Sequence, residues 1–85
     1  MTDLDAVLAD RAKTHGDYKV HAQITQSLKA IVRGSEAKRN DSQREALEMI
    51  LHKIGRICAG DPNIKDHWVD IAGYAQLVAN QLDAT

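Results

Sequence analysis

Glu45 and Glu48 stand three residues apart and are followed by His52, Lys53 and Arg56 in the unbroken stretch from Glu45 to Ile57. Further on, Asp66 and Asp70 stand four apart. On a helix, side chains three or four positions apart share a face, so each pair points two carboxylates in one direction. Two such pairs on neighbouring helices suit magnesium, which takes oxygen ligands, keeps several waters and accepts phosphate oxygens. On that reading Glu45, Glu48, Asp66 and Asp70 hold the ion, and Glu45, Glu48 and Asp70 are the catalytic set. Were such a site to cleave a polyphosphate, the ion would offset phosphate charge and a carboxylate or metal hydroxide would activate the attacking water. Lys53 and Arg56 then take the terminal phosphates, the arginine through its bidentate fork. Tyr74, beside Asp70, offers a ring face on which a base can stack.

A plainer description fits the same residues. Glu48, His52 and Arg56 follow one another at intervals of four, an ordinary pattern on a solvated helix face. Asp66 falls in a first helical turn, where the helix dipole favours negative charge without any metal. Asp70 lacks that explanation and is the strongest single functional residue. Arg11, Lys13, His15 and Asp17 gather round Gly16, a basic turn that can receive a phosphate or simply face solvent. His21 and His67 read as surface or partly buried polar residues, and Trp68 as an anchor of the core.

These residues need helices to position them, and the punctuation supplies four. Thr2 and Asp5 resemble a capping pair, after which Leu4, Val7, Leu8 and Ala12 recur at helical spacing until Gly16. Asp17 caps a second helix with the stripe Val20, Ile24, Leu28 and Ile31, ended by Gly34. The polar run from Ser35 to Asn40 reads as a loop. Ser42-Gln43-Arg44-Glu45 has the form of a capping box and opens a third helix that closes at Gly60. Asp61-Pro62-Asn63 is a turn, and a fourth helix runs from near Lys65 towards Leu82. No strand-like alternation persists, so the fold is all-α and resembles a four-helix bundle.

At 100° per residue, Ala46, Leu47, Ile50, Leu51, Ile54, Ile57 and Cys58 share one face of the third helix, with Glu45, Glu48, His52 and Arg56 opposite. On the fourth, Trp68, Ile71, Ala72, Ala75, Val78, Ala79 and Leu82 form the main apolar face. Leu77 and Tyr74 lie among or beside Asp66, Asp70 and Gly73 on the other side, which invites a second helix or subunit. Gly55 and Gly73 each cost a helix interior about 1 kcal/mol relative to alanine, and close packing is the simplest reason to keep them.

An 85-residue chain forms one domain with room for a single modest core. With 44% hydrophobic and 27% charged residues it is a folding sequence. Aromatics are only 4%, so aliphatic side chains must build a small core, and chains of this size often oligomerise to bury more. A net charge of −1 argues against general nucleic-acid binding. Cys58 is the lone cysteine, which excludes an internal disulfide and a cysteine zinc site and suits a reducing compartment. The acidic start lacks a signal-peptide layout and no apolar run reaches membrane-spanning length, so a cytoplasmic protein with no membrane association is expected.

The third and fourth helices, Arg44 to Leu82, resemble the all-α nucleoside triphosphate pyrophosphohydrolases of the MazG and phage dUTPase kind. The chain as a whole is similar to a family of small phage and prophage proteins grouped near that superfamily. The residues that carry the likeness are Arg11 to Tyr18, Glu45 to Ile50 with Lys53, Arg56 and Ile57, and Asp66 to Ala75. The resemblance implies magnesium held by a Glu-x-x-Glu pair, matched by Glu45 and Glu48, and by a Glu-x-x-Asp pair whose final residue matches Asp70. The first residue of that second pair falls at His67, with Asp66 one position earlier. It further implies a nucleoside triphosphate substrate, cleavage to monophosphate and pyrophosphate, and residence in a host cytoplasm. The alternative is a helical interaction module that keeps the fold without the chemistry. It would hold a host or phage protein on the surface around Met49, Tyr74 and Leu77.

Overall fold

In the computed structural model, residues 2–35 and 37–83 are described, and they form four helices and no strand. Helix α1 spans Asp3–His15, α2 Tyr18–Arg33, α3 Asp41–Ala59 and α4 Lys65–Asp83. The all-α expectation therefore holds. The helix ends follow local chemistry. Thr2 and Asp5 exchange a capping box at α1, with the Thr2 hydroxyl oxygen accepting from the Asp5 amide at 3.1 Å. Asp17 caps α2 by accepting from the amides of Lys19 and Val20.

The start of α3 differs from the sequence expectation. Asn40 and Gln43 form the capping box, at 2.8 and 2.9 Å, and Ser42 and Glu45 already lie inside the helix. Two capping patterns overlap here, two residues apart. The upstream one adds backbone hydrogen bonds and sets Asp41 in the first turn, where the dipole favours it.

Helix α3 is the middle of a three-helix layer. It packs extensively on α2 along one side and on α4 along the other, while α1 lies lightly on α2 and α3 and meets α4 through His67. This explains why the Glu48–His52–Arg56 stripe is not the solvated face that its charge suggests: all three side chains are half-buried. An amphipathic pattern reports one buried face, whereas a central helix has two.

The α2–α3 crossing is closed by polar groups. His21 and Thr25 are 6% and 3% exposed, and a Cβ at Gly55 would overlap both. The ring nitrogen Nε2 of His21 donates to the carbonyl of His52 at 3.1 Å, since a carbonyl can only accept, and Thr25 Oγ1 lies 3.3 Å from the same nitrogen. His67, 3% exposed, reaches the Thr14 carbonyl in the same manner at 3.4 Å. Both histidines are thus buried seams between helices, not surface residues. Gly16, at φ 82°, lies directly against Ala59 and Gly60, so the α1–α2 and α3–α4 turns meet back to back.

Trp68 corrects another expectation. It is 54% exposed and its indole N–H donates to the Pro62 carbonyl at 2.8 Å. The inner side of α4 runs instead through His67, Ile71, Tyr74 and Val78. Ala46 and Leu51 are the only hydrophobic side chains counted as buried among the described residues. The molecule measures 52 × 26 × 22 Å with a radius of gyration of 15.0 Å. A compact chain of this length has about 12 Å.

Candidate functional site

The carboxylates proposed as a metal cage go separate ways. Glu45 and Asp66 are exposed, and Glu48 lies 3.9 Å from Arg33 of α2. Asp70 is bound to Lys53 at 2.9 Å across the α3–α4 contact, and the Lys53 side chain is only 12% exposed. Among the described residues no three His, Cys, Asp or Glu side chains are grouped so that they could hold a metal ion. In the single chain, then, Glu45, Glu48, Asp66 and Asp70 do not fit one magnesium ion. Lys53 is likewise committed to Asp70, and Tyr74 is half-buried on the inner side of α4.

Arg56 stands elsewhere. It joins Arg11 and His15 of α1, Tyr18 and His21 of α2, and His52 of α3 around a cleft of about 550 Å³ with Leu8 and Ala12 on its wall. That volume lies within the range of small-molecule sites. No carboxylate lines it, and among the described residues neither guanidinium has an ion-pair partner. The nearest acid in sequence, Asp17, is occupied as the α2 cap. Helical spacing assembles the set: Arg11 and His15 lie one turn apart on α1, Tyr18 and His21 on α2, and His52 and Arg56 on α3.

The histidines register the resulting field. His52 is pushed down to about 4, first by burial and then by the positive charge of Arg56 and its neighbours. His15 is lowered from its ordinary value by burial first and then by Arg56, His67, Lys53 and Arg11. Both are neutral at pH 7 in a region that disfavours adding a proton.

A second basic groove, of about 380 Å³, is lined by Lys29, Arg33, Arg39 and Arg44. Its arginines are engaged: Arg39 donates to the carbonyls of Val32 and Ala37, Arg33 faces Glu48, and Arg44 pairs with Asp41. The α1–α2–α3 cleft is the one with uncommitted cationic forks.

The basic turn round Gly16 and Arg56 are the sequence features that belong to this cleft. Tyr18, His21 and His52 were not singled out as its members, although Tyr18 follows the capping Asp17 and His21 lies one turn later, a spacing that could have revealed them.

Fold and site together define a small all-α protein, a layer of three helices with a fourth leaning on it and a basic cleft where α1, α2 and α3 meet. By sequence the chain belongs to the family described as a domain of unknown function, DUF6378, whose pattern matches residues 2–82. Neither a curated protein nor a solved structure matches it. No helix among the described residues is long and apolar enough to cross a membrane.

Proposed function

We propose that this protein binds a phosphate-bearing ligand of the nucleoside triphosphate class in the α1–α2–α3 cleft. The observation that carries the reading is the pair Arg11 and Arg56, which line the cleft without a carboxylate beside them. Guanidinium forks match phosphate oxygens bidentately. Tyr18, 80% exposed at the rim, offers the ring for a base, a role that the sequence assigns to Tyr74. A bound anion offsets the positive field on His15 and His52.

Magnesium-assisted hydrolysis to monophosphate and pyrophosphate is the further step that the resemblance to the MazG-like enzymes implies. The Lys53–Asp70 pair and the Glu48–Arg33 approach weigh towards binding without turnover in the single chain. Where magnesium takes part, it arrives with the polyphosphate, since the ion is commonly held by one or two carboxylates and substrate oxygens.

Thermal melting with nucleoside triphosphates, inorganic triphosphate and free nucleosides, with and without magnesium, tests this, with pyrophosphate release as the measure of turnover. A ligand at a hundredfold excess over its Kd stabilises by about 2.7 kcal/mol, a rise of about 10 °C or more for a domain of this size. Arg56→Ala and Arg11→Ala should abolish the shift, and Asp70→Asn should keep it. A shift lost in Asp70→Asn and dependent on magnesium would move the site to the carboxylates. No shift with any phosphate compound would overturn the reading.

The interaction-module reading is favoured by a separate observation. Large apolar side chains on α1, α2 and α4, including Leu4, Tyr18, Ile31, Trp68 and Leu77, are more than half exposed. We take these as surface for assembly, and the protein as a cytoplasmic homo-oligomer.

A further inference from the structure

Helix α4 meets α3 along one side. About a quarter turn round it, Trp68, Ala72, Ala75 and Ala79 follow at intervals of four, three and four, and all are exposed. That alternation is the spacing of a coiled-coil seam. Ala75 and Val78 also form one wall of a groove of about 360 Å³ whose other wall is Ala46, Leu47 and Ile50 of α3, with Lys38, Arg39 and Gln43 at one end. Stripe and groove share Ala75 and so make one largely apolar surface, edged by the polar residues of the groove.

We propose that this face is the docking surface for a second copy of the same chain, the two packed about a two-fold axis with their α4 helices antiparallel. The proposal rests on the homo-oligomer reading above and assigns its surface. The size of the uncovered area argues for a permanent partner. The chain exposes 6229 Å², whereas a compact folded chain of its mass exposes about 5,000 Å². The excess of about 1,200 Å² is spread over the whole chain, the lightly packed α1 included, and is of the size that each subunit buries in an obligate homodimer, whose interfaces span about 2,000–5,000 Å² in total. The face is also self-complementary. Its bulky Trp68 lies at one end and its alanines along the middle, so an antiparallel copy brings each indole towards the other's small residues. Ala46 and Leu51 alone are a slender core for a free monomer, which favours a partner present from folding onward, and a second copy always is.

Sedimentation of the full chain across micromolar concentrations reads the outcome. The wild type should run at twice the 9.4 kDa chain mass. Ala72→Glu with Ala79→Glu, both at exposed positions, should halve that mass, and Ile31→Glu on α2 should leave it unchanged. Circular dichroism checks that the double variant stays helical. If it unfolds, wild-type Trp68 emission decides, because the sole tryptophan should shift to shorter wavelength as concentration drives pairing. A dimer that survives the double substitution, or is lost in Ile31→Glu, overturns the assigned face while keeping the oligomer reading. A wild type that stays monomeric throughout sinks that reading and the face together, and leaves the surface to a foreign protein.

Discussion

His52 carries both ends of the argument about the cleft, because its ring stands at the edge of His21, with centroids 4.7 Å apart, and beside Arg56. Its folded value of about 4 lies below the ordinary histidine value of 6.5. The unfolded chain therefore binds more protons between those values, and stability is full above pH 6.5 and declines as pH falls towards 4. His15 adds to the same trend. A melting series from pH 7.5 to 4.5 should show the decline, and His52→Gln should flatten it. Ligand affinity should move the other way, rising as pH falls from 7 to 5.5, because an anion favours the protonated rings. An affinity unaffected by pH would place the phosphates away from these histidines.

Glycine separates two roles at the scale of the helix. Gly55 admits His21 and Thr25 against the α3 backbone, so Gly55→Ala should destabilise by about 1–3 kcal/mol through overpacking. Gly73 has nothing within 4 Å of where its Cβ would lie, and Gly73→Ala should stabilise by up to about 1 kcal/mol. Denaturant midpoints of the two variants should thus move in opposite directions. The sequence marks both glycines alike, and only the neighbour across the crossing distinguishes them. Much of each helix was legible from its ends, since Thr2, Asp17, Gly16, Gly34 and Gly60 act as their chemistry suggests. The start of α3 was not, because Asn40 and Ser42 offer overlapping caps. The rotation of α4 was not either. Trp68 is its most hydrophobic-looking anchor, yet the helix turns His67 inward to reach Thr14, a partner 53 residues away that no local pattern reveals.

For the whole molecule, four helices could be read from periodicity, but not that α3 lies between two neighbours and uses its charged stripe for packing. A carboxylate site on these helices requires open space between α3 and α4. Lys53 fills that space by bonding Asp70. The cleft, by contrast, gathers residues from three helices and depends on how α1 leans. The last turn of α1 is tied to the α3–α4 turn and to α4 at one atom. The Thr14 carbonyl accepts from the Asp61 amide at 3.2 Å as well as from His67, and the Gly16 and Gly60 turns close around it. Both donors lie far along the chain, so these bonds are expected to close after the α2–α3 hairpin, whose loop entropy is smaller. His67→Ala should therefore speed unfolding while leaving the folding rate nearly unchanged, as stopped-flow chevrons would record. A slowed folding limb would mean the opposite order. If the expected order holds, the hairpin matures first and the binding cleft is the last part of the protein to exist and the first to disappear, so the lifetime of the site is shorter than the lifetime of the fold.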